Sequence, residues 1–330
     1  MLKMFSRSGK NETLQLLCYG KLPLSGEYLK SWAGEGSGKF QGWINALDQN
    51  GGPNPRLPRP VRVLMIPDGA EGIVVATVWD SCDNRGRSFP FALYFEAPRQ
   101  FLKAALSHPV LGSLKLWRFL ESEKPTLEAS QSSEEFYREL RRPELSVPLT
   151  GEMEEAAGFE RDLASVSVKA LASAVFGGEP FEDWVRLLWR LSKALGPGER
   201  AALTARTIAL RIPLGKGISA AVQVEAWLKL IRQRAGNSAL VPSAILPLEA
   251  EDRAGSFDIL FRPLRESDVH LLQGGKGTAE LLDLVVADKD LDVSGFLEFR
   301  EMVLDWWERP EAGLKSLLPQ GQWALKGHDS

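Results

Sequence analysis

The sequence predicts a mixed α+β protein in which an antiparallel sheet is flanked by helices and the chain is divided into two domains. Three observations lead to this fold class. Apolar runs of strand length follow one another across turns at 61–66, 72–79 and 89–95, which is typical of an antiparallel meander. Segments 181–195 and 219–234 carry apolar residues at helical spacing. The length of 330 residues exceeds what one compact core usually holds.

Residues 1–120 are expected to form the first α+β domain. Its apolar runs have the length of strands and end at glycine, proline or small polar residues, whereas its helical segments show wider apolar spacing. The predicted elements, in chain order, are a strand at 13–19, a short helix with Phe40 and residues 43–47, a loop at 51–60, the three meander strands, and helices at 99–106 and 114–120.

The composition changes at about residue 121, where acidic residues, serine and proline become frequent and apolar residues decline. This predicts an acidic linker at 121–160, with a helical segment around 133–142. Residues 161–330 are then a second mixed α/β domain. Its predicted elements are helices at 181–195, 219–234 and 295–307, strands at 205–213, 240–248 and 257–261, and a polar tail from 321.

Charge and composition argue against several classes of partner. The formal net charge is -3 and the pI is near 5.8, so we expect no nucleic-acid partner. No stretch approaches the roughly 20 apolar residues of a membrane-spanning helix, and the N-terminus lacks the pattern of a signal peptide. We therefore expect a cytoplasmic protein without membrane insertion. Cys18 and Cys82 are too few for a disulfide framework, and we expect buried thiols.

The histidines and the glycine-rich segments offer little for catalysis. His108, His270 and His328 are the three histidines, and none has metal-ligand spacing with another histidine or a cysteine. The segment 34–39 resembles a phosphate-binding loop, but Ala33 stands where its first glycine is required and Phe40 where Ser or Thr would hold magnesium. We expect a flexible loop there, and a plain turn at 274–277.

Acidic residues near the C-terminus also fit a known site poorly. Asp288, Asp290 and Asp292 alternate like the start of a calcium loop, but Val293 replaces its central glycine and Phe299 its closing glutamate. Glu251 and Asp252 could also be drawn as acid–base groups, but a solvated acidic turn is the favoured explanation for such residues. The sequence therefore predicts no catalytic residue, no metal and no cofactor.

Two polar segments next to predicted strands are the candidate functional residues. The first contains Tyr19, Gly20, Lys21, Pro23, Gly26 and Glu27, and the second contains Asp83, Arg85, Gly86, Arg87, Phe89 and Pro90. In a structural interpretation, Asp83 accepts backbone N–H groups and pairs with an arginine, and Gly86 takes a positive φ. In an interface interpretation, the arginines contact a partner. Similarly, Pro23 and Gly26 shape a turn, while Lys21 and Glu27 are free to reach a partner.

These two segments, in this order, resemble the TagF family, also called ImpM. Members typically carry Tyr-Gly-Lys-Leu-Pro-x-x-Gly-Asp-Phe and, some sixty residues later, Ser-x-Asp-x-x-Gly-Arg-x-Phe-Pro-Leu. Here Glu27 and Tyr28 occupy the Asp-Phe positions and Phe91 occupies the final Leu position. The resemblance is clear over residues 15–98 and looser beyond them.

The resemblance implies a non-enzymatic accessory protein of bacterial type VI secretion. In that family the protein acts after translation, typically as a repressor that binds a forkhead-associated scaffold protein. Some relatives are fused to a metal-dependent phosphatase domain, whose Asp-Gly-His-Gly-Gly-like segment does not occur here. Two alternatives remain at this stage. One is a structural or adaptor component of the secretion apparatus, and the other is a hydrolase that uses carboxylates alone.

Overall fold

A nine-stranded sheet organises the protein. The computed structural model describes residues 13–50, 57, 60–66, 72–98, 108–145, 147–148, 158, 161–194, 209–235, 242–248, 255–261, 281–283 and 295–308. In chain order the elements are β1 (Thr13–Leu14), β2 (Leu17–Gly20), β3 (Leu29–Lys30), α1 (Glu35–Asn50), β4 (Val61–Met65), β5 (Gly72–Trp79), β6 (Phe91–Pro98), α2 (Pro109–Glu128), α3 (Ser133–Leu140), β7 (Val147–Pro148), α4 (Val168–Phe176), α5 (Phe181–Ala194), β8 (Ala209–Leu214), α6 (Ala220–Ala235), β9 (Ala244–Leu248), β10 (Gly255–Leu260), β11 (Leu281–Asp283) and α7 (Phe296–Trp307).

The sheet order is β11-β8-β10-β9-β4-β5-β6-β2-β3, and β1 pairs separately with β7. Eight strands pair antiparallel, and β11 joins the edge in parallel with β8. The predicted mixed fold with an antiparallel sheet is thus confirmed, and β4, β5 and β6 form the predicted meander.

Two apolar layers cover the central strands, one on each face. Val75 belongs to the cluster that also contains residues of α2, α3 and α6, whereas Val74 and Ala76 belong to the cluster that contains Phe40 and Trp43 of α1. Since both faces are covered, all eight residues of β5 are buried, which explains its continuous apolar sequence. On the α2 side, the Trp117 indole N–H donates to the carbonyl oxygens of Ala76 and Val63 at 3.0 and 3.3 Å.

The sheet continues through both halves of the chain, because β9 pairs with β4. The division into domains at 1–120 and 161–330 with a linker at 121–160 is therefore not confirmed and stays a prediction. Within 121–160, Glu121 lies in α2 and accepts from Arg62 at 2.7 Å, and Phe136 of α3 is fully buried. The predicted helical segment near 133–142 is confirmed as α3.

Several boundaries differ from the sequence prediction. The strand expected at 13–19 is divided into β1 and β2, and the helix expected at 114–120 extends over Pro109–Glu128. The short helix near Phe40 is longer and begins at Glu35, so the flexible loop expected at 34–39 was wrong. The elements that the prediction missed are β3, β7, α4 and β11. The helix expected at 99–106 and the polar tail lie outside the described residues.

None of the helices in the described part of the chain combines the length and the apolar composition needed to cross a bilayer.

Candidate protein-interaction site

The sheet brings the two candidate segments together. Because β2 pairs antiparallel with β6, Gly20 lies opposite Phe91. The segment that leaves β2 and the loop that enters β6 therefore meet at one end of the sheet. The two segments are hydrogen-bonded to each other, since the Asn84 N–H donates to the Ser25 carbonyl oxygen at 3.2 Å and the Arg87 guanidinium donates to the Gly26 carbonyl oxygen at 3.3 Å.

The Asp83 carboxylate lies at the centre of this contact. Its Oδ1 accepts the backbone N–H groups of Arg85 and Arg87, both at 2.9 Å. Its Oδ2 accepts Nε of Arg87 at 2.6 Å and lies 3.5 Å from Nζ of Lys21. Burial opposes ionisation, but the donors from Arg87 and Arg85 outweigh it and lower the pKa of Asp83 to about 2. Asp83 is therefore a buried anion that ties both segments together.

Glycine at position 86 closes the loop around this carboxylate. Gly86 has φ of 73° and donates its N–H to the Asp83 carbonyl oxygen at 2.9 Å, while the Asp83 N–H donates to the Arg87 carbonyl oxygen at 3.0 Å. The structural interpretation of the second segment, with its carboxylate acceptor, paired arginine and positive φ, is confirmed. Cys82 and Ser88 form an isolated antiparallel bridge at the base of this loop.

Gly20 is required for a different reason, namely close approach of two strands. Its φ is 129°, and a Cβ atom added there would lie 2.1 Å from the Pro90 carbonyl oxygen and 2.7 Å from the Phe91 Cα. Only glycine fits this position, because φ in this range is strained for other residues. By contrast, Gly26 has no left-handed φ, and the atom nearest to its added Cβ would belong to the Asn84 side chain, at 3.2 Å.

Lys21 is buried, so the expectation that it is free to reach a partner was wrong. Beside its contact with Asp83, its Nζ lies 4.8 Å from the centre of the Tyr28 ring and 5.6 Å from that of Phe89. The Tyr28 and Phe89 rings meet edge to face at 4.7 Å, and Tyr19 packs against both. The ion pair and the cation–π contacts offset the cost of removing the ammonium group from water.

The remaining candidate residues divide into buried and exposed sets. Phe89 and Pro90 directly precede β6 and are buried. Pro23 is exposed in a turn closed by the Ser25 N–H, which donates to the Leu22 carbonyl oxygen at 3.1 Å, so Pro23 shapes this turn as predicted. The side chains that can meet a partner are those of Pro23, Glu27, Arg85 and, although paired with Asp83, Arg87, which is 55% exposed.

The glycine-rich segment 34–39 leads into the first turn of α1. The N–H groups that would bind a phosphate in a phosphate-binding loop bind a carboxylate of the protein itself. The Glu96 carboxylate of β6 accepts the N–H groups of Gly36 and Ser37 at 2.9 and 3.0 Å, and also the Ser37 hydroxyl. A Cβ atom on Gly34 or Gly36 would lie within 3 Å of Glu96 Oε1. These glycines therefore admit a carboxylate to a helix N-terminus. Glu96 was not among the residues predicted from the sequence, because it lies 60 residues along the chain from Gly36.

A second buried carboxylate, Glu225 of α6, was also missed. Its Oε1 accepts the N–H groups of Val110 and Leu111 at 2.5 and 3.1 Å, and its Oε2 lies 3.8 Å from Nδ1 of His108. Burial raises the pKa of Glu225 to about 8, against the opposing effect of these donors. The sequence signal for a buried acid was the position of Glu225 between Val224 and the apolar residues 226–228.

Within the described part of the chain, no group of three or more His, Cys, Asp and Glu residues could hold a metal ion. Asp83 and Glu225 each accept backbone N–H groups, and none of the contacts described above brings a second carboxylate to either residue. The candidates at Glu251, Asp252, His270, 274–277, Asp288, Asp290, Asp292 and His328 lie outside the described residues. Both cysteines are free thiols. Cys18 is buried, and burial raises its pKa to about 12, while Cys82 is partly exposed.

Comparison with known proteins gives a weak structural neighbour but no related family. No protein-family model matches the chain, and no curated protein matches it. Among solved structures, the crystal structure of PA0076 from Pseudomonas aeruginosa PAO1 aligns with 43% of this chain and 74% of its own chain. The sequence identity is 21% and the TM-score is 0.31. This likeness is too weak to support a functional argument.

Proposed function

We propose that this protein is a non-enzymatic accessory protein of the bacterial type VI secretion system. In this proposal it acts in the cytoplasm, after translation, as a repressor that binds a forkhead-associated scaffold protein. The support is the resemblance of Tyr19–Tyr28 and Ser81–Phe91 to the two TagF motifs, in the same order. Binding, rather than catalysis, is the function that such a site favours, since its polar residues hold one another.

The observation that carries the proposal is the convergence of both motifs on Asp83. Lys21 and Arg87 contact its carboxylate, and Arg87 also reaches the Gly26 carbonyl oxygen. These contacts hold the turn at Pro23 against the loop at Arg85, so a partner meets a preorganised surface. A preorganised surface loses less conformational entropy on binding than two independent loops would lose.

Arg85 is the residue of this surface best suited to a direct contact. Its backbone N–H holds Asp83, which positions the residue, while its side chain is exposed and makes no ion pair within the described residues. Arginine is frequent among interface hot spots and pairs with carboxylates in a bidentate geometry. In this proposal, the surface binds the scaffold protein and so prevents the scaffold from binding its assembly partners. The repression would then depend on the concentration of both proteins.

The test is a pull-down of the forkhead-associated scaffold from the cytosol of the bacterium that makes this protein. Arg85→Ala is expected to weaken scaffold binding by about tenfold or more, the loss typical of an interface hot spot. Arg118→Ala, which removes an exposed arginine from α2, is the matched control and should bind like wild type. Circular dichroism checks that each variant is folded. Equal binding by the two variants would remove Arg85 from the interface, and no recovery of the scaffold would contradict the proposal.

Deletion of the gene tests the direction of regulation. Loss of a repressor should raise type VI secretion, measured as release of the tube protein into the medium. Loss of a structural or adaptor component would instead abolish secretion. Recovery of sheath or baseplate proteins in the pull-down would favour that second interpretation.

A further inference from the structure

The outer edge of the sheet, at β3, is covered by one hydroxyl group. Lys30 lies opposite Tyr19 of β2, and the next residue, Ser31, donates its N–H to the Cys18 carbonyl oxygen of β2 at 2.9 Å. The backbone groups of Lys30 point the other way. Its N–H donates to the Tyr137 hydroxyl at 2.8 Å, and this hydroxyl donates to the Lys30 carbonyl oxygen at 3.2 Å. Tyr137 of α3 thus occupies the hydrogen-bonding positions that a further strand would take.

Exposed aromatic side chains lie on both sides of Lys30. In the described part of the chain, three large apolar side chains are exposed, namely Tyr28 at 38%, Trp32 at 65% and Leu297 at 62%. Two of the three are therefore within five residues of sequence at this edge. Tyr28 packs on Tyr19, whose hydroxyl donates to Asn45 of α1, and the Trp32 ring lies against Gly38 of α1. Both rings thus lie on the α1 side of the sheet.

Two exposed cations lie at this edge. Lys30 is exposed between the two aromatic residues, and its side chain makes no ion pair with any described residue. Arg141 is the C-cap of α3, four residues after Tyr137, so the two lie on the same side of the helix. Arg141 is also exposed and forms no ion pair within the described ranges. An acidic side chain of a partner would therefore be attracted to this edge.

We infer that the β3 edge binds an extended, acidic segment of a partner protein by strand addition. The partner backbone replaces the Tyr137 hydroxyl at the N–H and carbonyl groups of Lys30, an apolar side chain packs on Trp32 and Tyr28, and a carboxylate pairs with Lys30 or Arg141. Main-chain hydrogen bonds then supply affinity and the alternate side chains supply specificity.

The neighbouring residues allow Tyr137 to leave without unfolding α3. Phe136 is fully buried and packs edge to face on Phe91 at 6.1 Å, so it anchors the helix. Tyr137 is only partly buried, and in this inference its side chain rotates away from the edge while Phe136 stays in place. This surface does not include Arg85 or Arg87, so its test is independent of the proposed scaffold contact.

The test uses a fluorescent, capped octapeptide of alternating valine and glutamate, with fluorescence anisotropy as the measurement of Kd. The control peptides have lysine in place of glutamate, or proline in place of valine so that alternate N–H groups are missing. Wild type should bind the Val-Glu peptide and neither control. Trp32→Ala should raise Kd by about tenfold, the loss typical of an aromatic interface residue. Leu297→Ala removes a comparably exposed side chain elsewhere and should bind like wild type.

Variants at the edge itself separate strand addition from simple charge attraction. Tyr137→Phe removes the competing hydroxyl and should lower Kd about three- to tenfold, the equivalent of one net hydrogen bond. Lys30→Pro removes an outward N–H at a position where an edge strand tolerates proline, and should raise Kd well beyond Lys30→Ala. Thermal unfolding checks that these variants are folded.

Three results would overturn the inference. The first is absence of binding of the Val-Glu peptide to wild type, and the second is equal Kd for Lys30→Pro and Lys30→Ala. The third is a wild-type dimer in sedimentation that Trp32→Ala dissociates, because the occupant of the edge would then be a second copy of this chain.

Discussion

Substitution of Gly20 by alanine tests whether the close approach of β2 and β6 holds the candidate site together. A Cβ atom at Gly20 would lie 2.1 Å from the Pro90 carbonyl oxygen, which belongs to the backbone and cannot rotate away. The two strands must separate locally, and the pairing of Gly20 with Phe91 is lost. Backbone strain in this region of φ costs about 1–3 kcal/mol, and loss of one or two net hydrogen bonds adds about 1–2 kcal/mol. We therefore expect Gly20→Ala to lower the free energy of unfolding by about 2–5 kcal/mol.

Gly86→Ala is the matched control, because Gly86 also has a positive φ but its added Cβ would meet nothing within 4 Å. Alanine in the left-handed region costs about 1–2 kcal/mol, part of which is offset because alanine restricts the unfolded chain. The expected loss is thus about 1 kcal/mol. Gly26 has no positive φ, and the atoms nearest to its added Cβ belong to the Asn84 side chain, so Gly26→Ala should lose less than about 1 kcal/mol.

Urea-induced unfolding, followed by tryptophan fluorescence and circular dichroism, gives the free energy of unfolding of all three variants. If Gly20→Ala loses no more than Gly86→Ala, the steric argument for Gly20 is wrong. A loss for Gly26→Ala equal to that for Gly20→Ala would likewise show that the strand contact is not the cause.

Three further predictions concern the carboxylates that accept backbone N–H groups. The pKa of Glu225 is raised from 4.5 to about 8 in the folded protein, so its contribution to stability is complete below about pH 4.5 and is lost as pH rises towards 8. At pH 7.5 the free energy of unfolding of Glu225→Gln should therefore exceed that of wild type by on the order of 1 kcal/mol or more. Equal urea unfolding curves of wild type at pH 5 and pH 7.5 would contradict this prediction. The pKa of Asp83 is lowered from 3.8 to about 2, so its stabilisation is present above about pH 4 and is lost as pH falls through 2. Asp83→Asn should unfold more readily than wild type at pH 7 but show less change between pH 4 and 2 by circular dichroism, and a wild-type-like acid transition would refute the assignment. Glu96→Ala leaves two N–H groups at the start of α1 without their acceptor and should cost about 1–2 kcal/mol, whereas Glu96→Gln keeps one acceptor and should cost less in the same urea assay.

The elements predicted correctly from the sequence are those whose pattern is local and long. The eight-residue apolar run of β5 and the helical spacing of apolar residues in α5 each lie within one short, continuous segment. Both elements were predicted within one residue of their observed bounds. In contrast, β3 and β11 contain two and three residues. Their assignment depends on hydrogen bonds to β2 and β8, so no local pattern identifies them.

The role of Asp83 and Gly86 within the second motif could be inferred from residue chemistry, because a carboxylate, a glycine and two arginines within five residues form a local turn. The burial of Lys21 could not be inferred in this way. It depends on Asp83 and Phe89, which lie more than 60 residues along the chain, and on Tyr28, which packs over it. The roles of Glu96 and Glu225 could not be inferred for the same reason. Glu96 accepts N–H groups at the start of α1 and Glu225 accepts them at the start of α2, and each lies far along the chain from the helix that it contacts.

The sequence by itself determined the α+β class, the meander, most of the helices and the two motif segments, because backbone propensity and apolar periodicity act over neighbouring residues. Tertiary structure alone decided that one sheet passes through both halves of the chain and that Asp83 joins the two motifs. It also decided that Tyr137 covers the β3 edge. These contacts join residues from distant parts of the chain. Their free energy depends on burial and exact geometry, which a one-dimensional pattern does not contain.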